Sequence, residues 1–251
     1  MSLTAQDAGP VRAADGRANK FIAPLTVPPV ANAPFSASAK TVWVQVLPDG
    51  STLTVQNQRV VARDDDGRVF EERRTFVPVS DDGKREPRLV ALDYSDPREH
   101  TFYRCFPGHN YCELYDLRAP SSAVRVRTGL QPDGTTYITR EDQGVDTFAD
   151  MDVLRSKETT TLYAESVGNT KTILRTCEYW YSATLGVNLQ VKRNDPRDGA
   201  QTLWLSDISR TAPDPQLFNL PEGYRIIDLR GTGAVPGPVV NMLPPVVNKP
   251  R

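Results

Sequence analysis

Strand-length runs of alternating residues, separated by tight-turn sequences, constrain this chain more than any other feature. Thr41–Leu47 alternates valine with Trp43, Gln45 and Leu47, and this period of two is the signature of a strand with two different faces. Tight turns are expected where aspartate precedes glycine, at Asp49-Gly50, Asp66-Gly67, Asp82-Gly83 and Asp133-Gly134. Further strand patterns occur at Thr52–Arg63, Val69–Val79, Leu89–Tyr94, Thr101–Phe106, Tyr111–Leu117, Tyr137–Thr139, Thr159–Ala164, Ile173–Tyr181, Val187–Arg193 and Gln201–Ser209, with a diffuse stretch over 145–155. No amphipathic helix longer than about two turns is visible, so the sequence predicts a mainly β fold of antiparallel hairpins.

Proline is concentrated at the two ends of the chain. Residues 1–40 and 231–251 together contain ten of the 21 prolines. Proline removes a hydrogen-bond donor and fixes φ, so these segments are expected to be extended. The sequence therefore predicts a Pro/Ala-rich N-terminal extension over 1–40, an antiparallel β domain over 41–228 and a Gly/Pro-rich tail over 229–251. Apolar residues within 21–35 are consistent with packing of that part along the domain surface.

The charge balance excludes several classes of partner. Thirty basic and 31 acidic residues give a net charge of −1, so the whole chain is not steered toward nucleic acid or anionic lipid. No stretch reaches the roughly 18 apolar residues that span a bilayer, so no transmembrane segment is expected. No apolar leader follows Met1. The chain is therefore expected to be either cytosolic or an exported protein without its signal.

Two cysteines decide between these compartments. If Gly108-His109 is the centre of a hairpin loop, Cys105 lies opposite Cys112 and Arg104 lies opposite Glu113. Opposite β carbons at roughly 4.5–5.5 Å can close to a disulfide. The sequence predicts this disulfide and hence a periplasmic or secreted location, whereas a reduced pair in a cytosolic hairpin is the alternative. Cys177 is expected to be buried as a small hydrophobic residue.

Residues that could perform catalysis do not form a recognisable pattern. His100 and His109 are both expected in solvated loops, and neither accompanies a nucleophile motif. The acidic residues over 141–152 lack the spacing of an EF-hand loop, although calcium binding is an alternative. We therefore predict a protein that is not an enzyme, with no catalytic residue, no metal site and no cofactor.

Five arginines decorate one predicted hairpin and are interleaved with acidic residues. They are Arg59, Arg63, Arg68, Arg73 and Arg74. With both signs mixed, the sequence predicts a solvated ladder of cross-strand ion pairs rather than a nucleic-acid surface.

Three C-terminal motifs carry a resemblance to a known group. They are Glu178-Tyr-Trp-Tyr-Ser182, Asn194-Asp-Pro-Arg-Asp-Gly199, and Asp214-Pro-Gln-Leu-Phe218 followed by Pro221 and Tyr224. In these motifs the chain resembles uncharacterised secreted bacterial proteins, and its C-terminal part resembles the ending of periplasmic lipoprotein carriers of the LolA/LppX type. The resemblance implies a curled antiparallel sheet, or unclosed β-barrel, around an apolar cavity for acyl chains.

The function that this resemblance implies is binding without catalysis. We expect a periplasmic or secreted protein that binds a lipid, a lipidated protein or another hydrophobic ligand on the concave face. The candidate lining residues are Trp43, Tyr179, Trp180, Tyr181 and Trp204. The alternative is a structural or protein-interaction module of the cell envelope that has no small-molecule ligand and uses its proline-rich ends as spacers or docking peptides. The sequence leaves the oligomeric state open.

Overall fold

One continuous sheet contains all the strands of the described chain. The computed structural model describes residues 25–79, 85–117, 128–234 and 236. The first seven strands are β1 (Phe35–Val46), β2 (Thr52–Arg63), β3 (Val69–Arg74), β4 (Val77–Pro78), β5 (Leu89–Asp96), β6 (Thr101–Phe106) and β7 (Tyr111–Asp116). The others are β8 (Gly129–Leu130), β9 (Thr136–Phe148), β10 (Met151–Leu162), β11 (Ile173–Ser182), β12 (Val187–Asp195), β13 (Gly199–Ser209) and β14 (Arg225–Asp228). The only helix among the described residues is a 3₁₀ turn, Pro215–Phe218. This confirms the predicted mainly β fold.

The strand order shows that the sheet is not closed. It runs β14-β7-β6-β5-β3-β2-β1-β13-β12-β11-β10-β9-β8, and β4 pairs separately with β2. All pairs are antiparallel except β14 with β7, which is parallel. The sheet therefore has two edges, as expected for an unclosed barrel.

The sheet curls over one of its faces, which we call the inner face. On β1 this face carries Phe35, Ala37, Ala39, Thr41 and Trp43, all of which are buried. Residues from β1, β2, β3, β10, β11, β12 and β13 converge there in one apolar cluster. Its members are Leu25, Val27, Phe35, Ala37, Ala39, Val61, Val69, Val153, Trp180, Leu185, Val187, Leu189, Leu203 and Leu205. Strands far apart in the sheet order share this cluster, so the curl itself builds the core.

A proline-rich segment covers one end of the inner face. Residues 25–34, which we call the roof, precede β1 and insert Leu25 and Val27 into the apolar cluster. The first strand begins at Phe35 and not at Thr41, as the sequence pattern predicted. The reason is that Ala37 and Ala39 are small residues at inward positions, and their alternation with serine does not look like an apolar pattern.

The outer face is covered near β5, β6 and β7 by the chain that follows β13. Asp214 caps the 3₁₀ turn by accepting a hydrogen bond from the Gln216 amide at 2.9 Å. Phe218 then packs on a second apolar cluster, which also contains Ala62, Phe70, Tyr94, Cys105 and Cys112. The resemblance motif at 214–218 therefore has a packing role.

The hairpin that contains the paired cysteines has the predicted register. Cys105 lies opposite Cys112, Arg104 lies opposite Glu113, and Phe106 lies opposite Tyr111. The two cysteines are joined by a disulfide. Cys177 is half-buried on β11 and has a free thiol.

Two regions differ from the sequence prediction. The patterns at Tyr137–Thr139 and Thr159–Ala164 belong to a long hairpin, in which β9 pairs with β10 along its whole length. Most of β9 is exposed on both faces, so its residues do not alternate in hydrophobicity. β14 was also missed, because a four-residue strand with three exposed residues has no detectable pattern.

Candidate ligand site on the inner face

Charged and polar side chains occupy part of the inner face beside the apolar cluster. The inward positions of β2 are Val55, Asn57, Arg59, Val61 and Arg63, and all five are buried. The predicted solvated ladder is therefore wrong for two of the arginines, because Arg63 is 0% exposed and Arg59 is 8% exposed. A period of two along β2 puts both on the same face as Val55 and Val61, and this signal could have identified them.

Arg63 fastens the roof to the sheet. Its Nε and Nη2 atoms donate to the carbonyl oxygen of Ala33 at 2.9 and 2.7 Å, and its Nη1 atom donates to Pro28 at 2.9 Å. Nη2 also donates to the carbonyl of Leu185, in the turn between β11 and β12. The guanidinium lies 5.1 Å from the Phe35 ring centroid. Arg63 thus satisfies its donors without a carboxylate and joins three parts of the chain.

A buried ion-pair network begins on β3 and extends to β6. Asp93 on β5 is 3% exposed and accepts hydrogen bonds from Nε of Arg73 at 2.7 Å and from Arg104 at 2.8 Å. Burial alone raises the pKa of Asp93, but the hydrogen bonds and charges of Arg104 and Arg73 outweigh it and hold the pKa below its usual value. Glu71 contacts Arg73 at 3.1 Å. The two carboxylates thus compensate Arg73 and Arg104.

Arg59 lies next to this network, close enough to Glu71 and Asp93 for their charges to act on it. Its Nε and Nη2 atoms are buried and have no hydrogen-bond partner among the described residues. Burial lowers the pKa of Arg59, and the charges of Glu71 and Asp93 oppose this effect only in part. A buried guanidinium with unpaired donors is costly, so such a group calls for a functional explanation.

Neighbouring polar atoms are unpaired as well. They are Thr41 Oγ1, Asn57 Oδ1 and Glu71 Oε2, the last of which contacts Arg73 without hydrogen-bond geometry. The Asn57 amide is oriented by its Nδ2 atom, which donates to the carbonyls of Arg74 and Thr75 at 2.7 and 2.9 Å. Its Oδ1 atom is therefore left for another donor.

The polar group borders the apolar cluster directly. Arg59 lies opposite Ala39, and Thr41 lies opposite Asn57, across the β1–β2 pair. On the other side of β1, Ala39 lies opposite Leu205 and Thr41 lies opposite Leu203. The inner face thus presents hydrogen-bonding groups next to apolar side chains, which is the arrangement that an amphiphilic molecule requires.

Two of the five predicted lining residues are buried at different ends of the inner face. Trp43 packs with Val55 and Phe76, and its Nε1 atom donates to the carbonyl of Asp198 at 2.6 Å. Trp180 belongs to the large apolar cluster, with the guanidinium of Arg155 at 4.9 Å from its ring centroid. A register shift after Trp180 accompanies its packing with this cluster.

The other three predicted residues are more accessible. Tyr179 is half-buried beside Cys177, and burial raises the pKa of both side chains. Tyr181 is 40% exposed. Trp204 lies opposite Lys40 and Gln190, at positions that alternate with those of Leu203 and Leu205. The structure therefore does not bring the five aromatic residues together in one lining.

A separate cavity lies at the ends of β5 and β6, beside the 3₁₀ turn. It has a volume of about 320 Å³ and is lined by side chains that include Arg68, Tyr94, Tyr103, Phe218 and Arg230. Burial raises the pKa of Tyr94 to about 12. None of the five predicted lining residues contributes to this cavity.

The two histidines and the candidate metal ligands were also located in the described part of the chain. His100 and His109 lie exposed in turns between strands. Within residues 25–79, 85–117 and 128–234, no group of three or more His, Cys, Asp or Glu side chains could hold a metal ion. Over the same ranges, no helix has the length and apolar content needed to cross a membrane.

Comparisons with known proteins find likeness in structure only. No family model matches the chain, and no curated protein matches it. Among solved structures, an uncharacterized conserved protein from Thermus thermophilus is 10% identical, with a TM-score of 0.39 over 78% of this chain and 90% of that one. The MucA/MucB complex of Pseudomonas aeruginosa gives 10% identity and a TM-score of 0.39, over 78% of this chain and 58% of the other. The Mycobacterium tuberculosis lipoprotein LppX is 13% identical, with a TM-score of 0.25 over 73% of this chain and 89% of that one. All three TM-scores lie below 0.5.

Proposed function

We propose that this chain is a non-enzymatic protein of the bacterial cell envelope, periplasmic or secreted, that binds a lipid or another hydrophobic ligand on its inner face. A lipid-bearing partner protein would be bound through the same acyl chain. The observation that carries the proposal is the roof, which covers the apolar cluster without belonging to the sheet.

The roof is held differently from the rest of the core. Its described main-chain hydrogen bonds are one internal bond, from Val30 to Pro28, and one from the Asn32 amide to the carbonyl of Asp65. Side-chain hydrogen bonds from Arg63 to Pro28 and Ala33 add to these. A segment with so few ladder bonds can open at lower free-energy cost than a strand.

Opening of the roof would expose an apolar surface that an acyl chain could cover. Leu25 and Val27 are 3% and 6% exposed, so their side chains fill space between the curled strands. Withdrawing them would expose Val61, Val69 and Leu189 to an acyl chain. Burial of that chain, at about 25 cal/mol per Å² of apolar area, would drive binding.

The test measures ligand uptake in wild type and in a variant whose roof is held by fewer hydrogen bonds. Native mass spectrometry of protein extracted mildly from its host should show a bound lipid-like mass, and delipidated protein should take up a fluorescent fatty acid saturably. Arg63→Lys keeps the charge but reaches fewer carbonyls, so uptake should be faster than in wild type. Arg98→Lys, at a side chain that is 68% exposed, is the control. A ligand-free native protein without saturable uptake would reject the proposal.

A second candidate function is protein interaction through the edge of the sheet. In the described chain, β9 pairs with β8 only at Tyr137 and Ile138, so its outer edge from Thr139 to Phe148 has no neighbouring strand. Val145, Leu154 and Tyr181 form a row across β9, β10 and β11 and are 71%, 51% and 40% exposed. An edge strand beside an apolar row can accept a strand from a partner.

Photo-crosslinking separates this candidate from the first. A crosslinking amino acid at Val145, expressed in the native host, should capture one distinct neighbouring protein. Replacing Leu154 and Tyr181 by serine should abolish the capture and leave lipid uptake unchanged. A protein with normal lipid uptake and no captured neighbour would exclude the interaction function.

A further inference from the structure

The strongest unexplained feature of the inner face is the guanidinium of Arg59. It is 8% exposed, and two of its nitrogen atoms have no acceptor among the described residues. Arg73 and Arg104 are engaged by Glu71 and Asp93. Glu113 lies opposite Arg104 on β7 and also accepts a hydrogen bond from Tyr115. The inner face here thus carries three arginines and three carboxylates, and what Arg59 lacks is hydrogen-bond acceptors for two of its nitrogen atoms.

The unpaired polar atoms around Arg59 indicate which chemical group could pair with its guanidinium. Arg59 supplies two N–H donors at its Nε and Nη2 atoms, and guanidinium donors match the oxygen atoms of a carboxylate or phosphate. Thr41 Oγ1 can add a third donor, while Asn57 Oδ1 can accept from a hydroxyl on the same molecule. The fitting group is an anionic oxygen group that carries or adjoins a hydroxyl.

The apolar residues around Arg59 indicate whether the anionic group belongs to a free ion or to an amphiphile. Ala39, Leu203 and Leu205 lie beside Arg59 and Thr41 on the strands paired with them, and all three are at most 5% exposed. A free inorganic anion would gain nothing from these side chains, whereas an amphiphile would bury its first carbon atoms against them. Desolvation of the charge also strengthens each hydrogen bond that it makes.

We propose that Arg59, with Thr41, binds the anionic head group of an amphiphilic ligand whose acyl chain lies in the apolar cluster of the inner face. This inference rests on the proposed function and adds a specific ligand class to it. It also explains why the guanidinium of Arg59 is buried with two nitrogen atoms unpaired.

The experiment measures head-group preference at constant chain length. Dodecanoate and dodecan-1-ol are titrated at pH 8 into delipidated wild type and into Arg59→Met, with acetate and inorganic phosphate as competitors. Wild type should bind dodecanoate about 10- to 100-fold more tightly than dodecanol, the range expected for hydrogen bonds to a charged group. Arg59→Met should lose this preference and still bind dodecanol. Acetate and phosphate should not compete, which would exclude a free anion as the ligand.

Two further variants serve as a substitute for Arg59→Met and as a control. Thr41→Val is isosteric and should reduce the preference several-fold, so it replaces Arg59→Met if that variant fails to fold. Arg98→Met removes an exposed guanidinium and should change nothing. In the ligand-free state, Arg59→Met should melt at the same temperature as wild type or higher, because two buried nitrogen donors without acceptors are removed.

Each outcome decides a separate question. If wild type binds both probes equally, or if both variants keep the preference for dodecanoate, the head-group site is wrong and the proposed function stands. If neither probe binds, both proposals fall. A lower melting temperature for Arg59→Met with an unchanged preference would show that Arg59 is a structural residue.

Discussion

The two carboxylate oxygens of Asp93 accept hydrogen bonds from Nε and Nη2 of Arg104, both at 2.8 Å. This bidentate pair is buried, since the side chains are 3% and 9% exposed. Geometry of this kind is what a buried ion pair needs to offset the cost of desolvation. Arg73 adds a further hydrogen bond to the same carboxylate, so one acid holds two cations on the inner face.

Asp93→Asn should therefore be strongly destabilising. The amide keeps one acceptor oxygen but removes the negative charge that Arg73 and Arg104 share. We expect the free energy of unfolding to fall by about 3–5 kcal/mol in urea titrations. Asp66→Asn breaks the exposed pair with Arg98 and should cost less than about 1 kcal/mol. Similar losses in the two variants would contradict the account of a buried network.

The stability of the chain should depend on pH through Asp195. This carboxylate accepts hydrogen bonds from the amide, Nε and Nη2 atoms of Arg197 at 3.0, 2.9 and 2.8 Å. The side-chain hydrogen bonds from Arg197 lower the pKa of Asp195 from 3.8 to about 2. A lowered folded-state pKa contributes stability above the unfolded pKa, and this contribution is lost as the pH falls through the folded value. The critical window thus lies between about pH 4 and pH 2.

Thermal melts across that window provide the measurement. Wild type should be more stable than Asp195→Asn at pH 5, and the difference should shrink as the pH approaches 2. The amide variant still accepts from the Arg197 amide, so the turn is retained. A difference that stays constant from pH 5 to pH 2 would show that the Asp195 charge does not stabilise the fold.

Gly199 should be irreplaceable where other turn glycines are not. It begins β13 with φ at +90°, and a β carbon there would overlap the carbonyl oxygen of Val44. Gly134 also has a positive φ, +68°, but a β carbon would meet nothing within 4 Å. Gly134→Ala should cost about 1–2 kcal/mol, from backbone strain alone. Gly199→Ala should cost at least about 3 kcal/mol in the same denaturation assay, and equal losses would refute the overlap.

The cysteines give a chemical test of the compartment. Unreduced protein from the native host, once unfolded, should show one thiol per chain, from Cys177, and a tryptic peptide that links Cys105 to Cys112. In the folded protein, Cys177 should be alkylated slowly at neutral pH, because burial raises its thiol pKa and keeps the reactive thiolate scarce. Three thiols in the unfolded protein would argue against an oxidising envelope compartment.

Local patterns were sufficient for the strands and for one complete hairpin. Cys105, Arg104 and Phe106 find their partners across a short loop, so the register follows from residues close in sequence. The long β9–β10 hairpin was not recognised, because residues 139–147 are exposed on both faces and carry no alternating pattern. Hydrophobic alternation detects a strand only when one of its faces is buried.

The candidate site needed information that no local pattern contains. The sequence by itself determined that the chain forms antiparallel strands, and it placed Arg59 and Arg63 on the same strand face as Val55 and Val61. Only the tertiary structure decided that this face is the inner one, because the curl brings β3 and β10 into one cluster from distant parts of the chain. The burial of Arg59, and hence its unpaired donors, depends on that curl and on strands far from β2 in sequence.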